Sequence, residues 1–310
     1  MEDYPRTTME FEKRFATEEA CRVYLEQLRW PDGFRCPCCG NSKAWFTARK
    51  RYHCAECGHE TSLTAGTIFQ DTRQPLHLWF RLIWHVVGQK NGVSALGLQR
   101  VIGLKRYETT WMLLHKLRRA MIRPDRERLS GIVEVDETYI GGKKPGKRGR
   151  GAGGKSLVFI AVEIKDKEIG RIRLKWMPNA SAESLMPAIE ESIEPKATVC
   201  TDAWTGYGGL SAIGYQHQVV KQSADIGEHL LPGPHRVAAL LKRWLQGTHQ
   251  GAVSHVHLDY YLDEFVFRFN RRASRFRGKL FFRLMQQAVV TGPVTKQDIL
   301  GRKADTTQGV

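Results

Sequence analysis

The chain has 310 residues, a formal net charge of +16 and a hydrophobic fraction of 42%. That length suits two domains, or one large domain with appendages, and the apolar content excludes wholesale disorder. The positive surplus favours a polyanionic partner, with nucleic acid first. The opening MEDYPRTTMEFEKRF has no apolar h-region, and no uninterrupted apolar run approaches the ~20 residues of a membrane span, so a cytoplasmic protein with no membrane partner is expected.

Residues 7–30 read as helical: Phe11, Phe15, Cys21, Tyr24, Leu25 and Leu28 recur at helical spacing, and Thr17 before Glu18 and Glu19 suits a helix start. A Pro/Gly/Cys segment, 31–67, follows and is too poor in apolar residues to fold unaided. Residues 75–88, 94–101 and 107–122 read as three helices, with Gly103 as a stop and Pro124 beyond the last. Their short helix, Gly-containing turn and longer basic helix match a helix-turn-helix layout. Lys105, Arg106, Lys116, Arg118, Arg119 and Arg123 would then face phosphates or bases, while Trp111 and Leu114 belong to a core. The competing reading is a plain helical spacer with solvated charges.

At Gly131 the pattern turns to strands. GIVEVDETYI, SLVFIAVEI (156–164) and RIRLKWM (171–177) form three, the last two joined as a hairpin by KDKEIG. Residues 182–193 read as a helix despite Pro187. ATVCTDAW is a fourth strand ending near Asp202, and QHQVV (216–220) a fifth. Residues 237–245 and 257–269 read as helices, and a polar tail begins at Thr295.

Five of the seven cysteines fall between positions 36 and 57, an odd and clustered distribution unlike a disulfide scaffold. Cys36 and Cys39, then Cys54 and Cys57, form a C-x2-C…C-x2-C set with 14 residues between the pairs. Two such knuckles set four thiolates around a structural Zn²⁺. Gly40 and Gly58 directly follow the pairs, where a knuckle turn needs φ > 0. Cys38 and His53 are weaker rivals because they break the spacing. Cys21 and Cys200 read as small buried residues. Arg35, Lys43, Arg49, Lys50 and Arg51 surround the ribbon, which suits DNA, though ribbons also contact proteins.

The run Ile132-Val133-Glu134-Val135-Asp136-Glu137 puts acids inside an apolar strand, with Glu134 and Asp136 on one face and the valines on the other. An acid there is costly unless exposed, paired or bound to a cation. A second carboxylate, Asp202, ends Thr198-Val199-Cys200-Thr201. Either alone could cap a strand end. Together, an acid on the first strand and another on the fourth of a hairpin-containing sheet fit the layout of RNase H-like nucleases, whose acids hold two divalent ions. The fold expected is α/β, an RNase H-like mixed sheet with flanking helices.

The segments CPCCG with CAECGHETSLTAGTIFQDT, VEVDETYIGGK, CTDAWTGY and LLKRWLQGTHQGAVSHVHLDYYLDEFVFRFNRR resemble the DDE transposases of bacterial insertion sequences. Within them they resemble the group with an N-terminal zinc ribbon, insertion-sequence family fifteen-ninety-five. The resemblance covers nearly the whole chain. It implies DNA strand cleavage and strand transfer, with Asp136 and Asp202 as first and second catalytic carboxylates on Mg²⁺ or Mn²⁺. It also places an acid one or two helical turns before a lysine in a motif ending LLKR. Lys242 is that lysine here, and no acid stands between Leu230 and Arg243. In part of the family Asn or His occupies the third position, and two turns before Lys242 stands His235, 33 residues after Asp202. His235 is therefore the candidate third ligand, with Asp225, Glu228 and Glu264 as rivals. Glu264 reads more simply as a surface residue.

Lys242 would meet a phosphate near the cut. The Gly-rich stretch 141–156 has six basic residues and no acid. Its Lys143, Lys144, Lys147, Arg148, Arg150 and Lys155, with Arg243, would clamp DNA electrostatically. The stretch 265–283 has seven basic residues interleaved with phenylalanines that read as core. The resulting plan is a helical segment at 1–30, a ribbon at 31–70, a helical DNA-binding segment or linker at 71–128, a catalytic domain at 129–294 and a tail at 295–310. The partners expected are double-stranded transposon ends and target DNA, with the chain homo-oligomeric on DNA and nucleoid-associated. Two other readings stay open: a non-catalytic zinc-ribbon DNA-binding regulator, and an RNase H-like nuclease that cuts without joining.

Overall fold

The structure is a computed structural model that describes residues 2–123, 125–141, 155–220, 231–251 and 253–301. Contacts divide the chain into two units, one formed by the residues up to Arg123 together with those from Ser274 onward, the other by the residues between.

The first unit opens with two helices, α1 (Thr8–Arg14) and α2 (Glu18–Arg29), where apolar spacing alone suggests one. The break is at Phe15, and Thr17 restarts the helix by accepting the Ala20 N–H at 3.2 Å. The ribbon follows as an antiparallel sheet of β1 (Ala44–Phe46), β2 (Arg51–Cys54) and β3 (Glu60–Ser62). Three helices come next: α3 (Leu76–Gly88), α4 (Ala95–Ile102) and α5 (Tyr107–Ala120). Ser94 caps α4, and Gly103 ends it at φ +76°, a left-handed stop that a side chain would strain. Arg118 is 2% exposed, so it packs inside this unit rather than facing phosphates as its charge suggested.

The second unit is built on a five-stranded sheet: β4 (Ile132–Ile140), β5 (Ser156–Lys165), β6 (Glu168–Met177), β7 (Thr198–Thr201) and β8 (Gln216–Val219). The order across it is β6-β5-β4-β7-β8, with β4 antiparallel to β5 and parallel to β7. This is the mixed sheet with flanking helices of an RNase H-like fold. Asp166 and Lys167 turn the β5–β6 hairpin, both with positive φ, +49° and +67°. That is the turn whose twist matches the strands it joins.

Helix α6 (Ala182–Ser192) packs on one face of the sheet, against Val133, Val135, Phe159 and Val199. On the other face lie α7 (Pro232–His249) and α8 (Leu258–Asn270), over Val158, Ile160, Val162 and Leu174. Both faces are therefore covered, which is why β5 reads as a near-continuous apolar run. Glu264 is fully buried on α8 and ion-paired with Arg268 at 2.8 Å. This corrects its reading as a surface residue, and a buried acid of this kind needs such a partner.

The chain then returns to the first unit through α9 (Arg277–Val290) and a short α10 (Lys296–Leu300). The expected catalytic span of 129–294 thus runs across both units. Phe281 of α9 is fully buried, its ring within 6.2 Å of those of Phe11, Phe15, Tyr24, Phe80 and Trp84. Of the phenylalanines between 265 and 283, Phe265, Phe267, Phe281 and Phe282 are buried, Phe269 packs at a core edge and Phe276 is exposed.

Candidate active site and zinc centre

The zinc centre is assembled by the two knuckles. The Sγ atoms of Cys36, Cys39, Cys54 and Cys57 all lie within 4.8 Å of one another. Cys36–Cys57 and Cys39–Cys54 are each 3.6 Å apart. Tetrahedral Zn–S bonds of about 2.3 Å require edges of about 3.8 Å, close to the spacing of these two pairs. Gly40 and Gly58 take φ of +74° and +68°, as the knuckles require. Cys38 is exposed outside the cluster, and His53 lies instead 3.5 Å from Glu60 and stacks on Trp45. Cys21 and Cys200 are buried.

The second site is the end of the large sheet beneath the start of α7. Strand alternation sends Val133 and Val135 into the core shared with α6. Glu134 and Asp136 therefore face α7. The parallel ladder pairs Ile132 with Thr198 and Glu134 with Cys200. Asp136 stands two residues beyond the last pair of this ladder, and Asp202 follows directly on the end of β7, so both acids lie at the same end of two adjacent strands. Asp136 Oδ1 accepts the Glu137 N–H at 2.8 Å, and Oδ2 lies 3.8 Å from His235 Nε2. Asp202 Oδ1 accepts the Trp204 N–H at 3.0 Å, closing an Asx turn at the strand end.

Among the described residues, only the four cysteines gather three or more potential ligand side chains within 4.8 Å. Asp136, Asp202 and His235 do not meet that limit as a set. One carboxylate oxygen and one imidazole nitrogen 3.8 Å apart lie within the span that two ligands of a single ion bridge.

The sequence LPGPH explains how His235 comes to be there. Of the residues opening α7, Pro232 and Pro234 have no N–H to satisfy, and Gly233 donates its own to Glu134 Oε2 at 2.8 Å. A Cβ at Gly233 would stand 2.7 Å from that oxygen and 3.1 Å from Val162, so only glycine permits the contact. Burial raises the Glu134 pKa, and the Gly233 hydrogen bond opposes it. Glu134 was placed on this face by alternation, but its docking of α7 has no sequence signal.

Glu137 points to the other face, where the buried Tyr207 hydroxyl donates to it at 2.7 Å. Burial first, then the charges of Glu137, Asp136 and Asp202, push the Tyr207 phenol well above its ordinary range, so it remains a protonated donor. Both aspartates thus lie within electrostatic reach of one hydroxyl. Tyr207 lies in the same motif as Asp202, CTDAWTGY, five residues further along the chain. In the same motif a Cβ at Gly206 would meet Trp204, Ala180 and Leu185 at 2.7–2.9 Å, which explains the glycine.

Lys242 lies two helical turns beyond His235 on the same face of α7, exposed, with Arg243 exposed beside it. Lys155 is exposed at the start of β5. Lys143, Lys144, Lys147, Arg148 and Arg150, and the rival acids Asp225 and Glu228, lie outside the described residues.

Comparison with known proteins agrees with this architecture. Residues 128–270 match the model of an ISXO2-like transposase domain, and residues 16–60 match a transposase zinc-ribbon domain, together more than half of the chain. A relative from Halobacterium salinarum, described as an uncharacterized protein in transposable element ISH50, is 26% identical across 86% of this chain and 95% of its own length. A chain of the simian T-cell lymphotropic virus intasome, solved in complex with PP2A regulatory subunit B56 gamma, superposes with a TM-score of 0.33 and 12% identity over 59% of this chain and 70% of that one, too loosely to bear on function. On the two domain matches, with the four-cysteine cluster ahead of an RNase H-like sheet, the chain belongs to the ISXO2-like transposases that carry a zinc ribbon, and it is a DDE-type transposase.

Proposed function

We propose that the protein binds the terminal inverted repeats of an insertion sequence, cleaves DNA there and joins the freed strand to target DNA. Asp136, Asp202 and His235 are its ligands for Mg²⁺ or Mn²⁺. The observation that carries this reading is His235 Nε2 lying 3.8 Å from Asp136 Oδ2, and it is supported by Asp202 following the end of the strand that pairs with that of Asp136. When bound, the ions activate the attacking oxygen and stabilise the leaving one.

The chain's own residues supply the positioning. The Glu137 N–H fixes one oxygen of Asp136 and leaves the other directed at His235. The Trp204 N–H fixes one oxygen of Asp202. Glu134 holds the start of α7, and so the height of His235 above the sheet. A neutral imidazole adds no negative charge, so this site holds its second ion more weakly than three carboxylates would. Lys242 and Arg243, with Lys155 and the basic stretch of sequence before it, draw the phosphate backbone in. Hydrolysis frees a 3′-hydroxyl, which then attacks a target phosphodiester. Joining two ends requires that the chain act as a dimer or larger assembly on DNA.

The test is incubation of the full chain with the flanking terminal repeats, a plasmid target and Mg²⁺, with sequencing of joined products. Asp136→Asn is expected to lose on the order of 10³-fold in cleavage while binding the ends normally. His235→Ala is expected to demand more Mg²⁺, and His235→Glu less. Wild-type cleavage by Asp136→Asn would overturn the site, unchanged metal demand in His235→Ala would remove that ligand, and cutting without joined products would leave a nuclease.

A further inference from the structure

A cleft of about 1360 Å³ opens beside the acids, within the second unit. Glu134 meets Gly233, Asp136 meets His235, and further along the same two elements Ile140 and Lys242 reach the cleft wall. The cleft is therefore the continuation of the acid site along α7. Its volume exceeds the roughly 300–1,000 Å³ of a small-molecule pocket, which favours part of a polymer.

The walls have a definite chemistry. Trp176 stands on the same sheet face as Asp136, paired across the strands with Val158, and 36% exposed. Its backbone N–H donates to Asp259 at 3.2 Å, which steadies it. Trp204 lines the cleft with its indole N–H tied to Ala180 O at 2.8 Å. The Asn179 side-chain oxygen already accepts from Ser181 N–H and Ser184 Oγ, at 3.0 and 2.9 Å, which turns its amide nitrogen into the available donor. Gln246 and the cations Lys155 and Lys242 complete the lining, and no described lining residue is Asp or Glu. Rigid indole faces, amide hydrogen-bonding groups and cations that form no ion pair among the described residues are the combination that takes an unpaired nucleotide: stacking for the base, amides for its edge, lysine for the phosphate.

We infer that this cleft receives an unstacked nucleotide of the bound DNA, its base laid on Trp176 and its phosphate held by Lys155 and Lys242. The choice of DNA as the polymer rests on the proposed function. The base leaves the duplex next to the cut, and the indole offsets the stacking it loses.

The test needs neither the element's ends nor metal, so its failure is separable from failure of strand joining. The full chain is titrated at fixed salt with a fluorescent twelve-nucleotide single strand of thymidylate, and with the same strand made wholly abasic, and binding is read by anisotropy. The abasic strand is expected to bind about 5- to 150-fold more weakly to the wild type. Trp176→Ala is expected to lose a similar factor on the thymidylate strand and almost nothing further on the abasic one, while Trp176→Phe stays near wild type. Equal binding of the two strands by the wild type, binding of neither, or a Trp176→Ala loss that is the same for both strands would overturn the inference. The wild-type comparison of the two strands decides even if the alanine variant does not fold.

Discussion

Glu134 and Glu163 are both acids within strands, and the structure gives them opposite tasks. Glu134 accepts one backbone N–H from a helix start, Gly233, at 2.8 Å. Replacing it by alanine leaves that donor buried and unpaired and should cost about 1–2 kcal/mol. Glu134→Gln retains an acceptor and should recover most of the loss. Because α7 carries His235, the alanine variant should also demand more Mg²⁺ for cleavage, a change the glutamine variant reverses; equal metal demand in both would deny Glu134 a positioning role. Glu163 is 2% exposed and bridged by Arg171 at 2.7 Å. Burial raises its pKa, but Arg171 and the Ser130 and Arg171 N–H groups outweigh burial and hold it to about 2. A depressed carboxylate stabilises the fold above its unfolded value, 4.5, and that stability disappears as pH falls toward 2. Glu163→Gln should therefore be less stable than wild type by about 2–3 kcal/mol at pH 7, with the difference vanishing near pH 2 in denaturant titrations. Among single residues, the zinc cysteines are legible in the sequence because local spacing dictates their chemistry. His235 is legible only by resemblance, and the Glu134–Gly233 contact not at all, since it joins residues 99 apart.

Strands were the most readable elements, because alternation and the β5–β6 turn follow from residue type. The ribbon was readable from four cysteines, and its stability should depend on them. Zinc-bound thiolates hold together a sheet whose strands are three or four residues long, too short to persist by pairing alone. A strong chelator should therefore remove protection from amide exchange in residues 36–62 and leave the five-stranded sheet protected. Loss of protection at β4 and β5 under the same conditions would contradict that independence. Helices were harder to read. The start of α7 hides behind Pro232 and Pro234, which look like a loop until their missing N–H groups are recognised as an advantage at a first turn. Helix α9 was hidden by its charge: the basic residues alternate with the phenylalanines that bury it.

At the scale of the molecule, the division into units escaped the sequence because one of them is discontinuous. Nothing in local pattern reveals that α9 returns to helices whose aromatic residues, from Trp84 back to Phe11, stand far upstream in the chain. Phe281→Ala tests that closure. Removing a fully buried ring with five aromatic neighbours should cost about 3–5 kcal/mol. Calorimetry should show the first unit melting earlier and the sheet of the second unchanged; a uniform shift of both transitions would indicate a single cooperative block.

The same closure sets an order of events during synthesis. A chain elongating from its N-terminus exposes the ribbon and α1–α5 first, yet their aromatic core lacks Phe281 until α9 has cleared the ribosome. The intervening sheet, with all its strands and covering helices already emerged, can fold ahead of the segment that precedes it. A nascent chain halted before α9 would carry the second unit's sheet with its covering helices, while the aromatic core of the first unit still lacked Phe281.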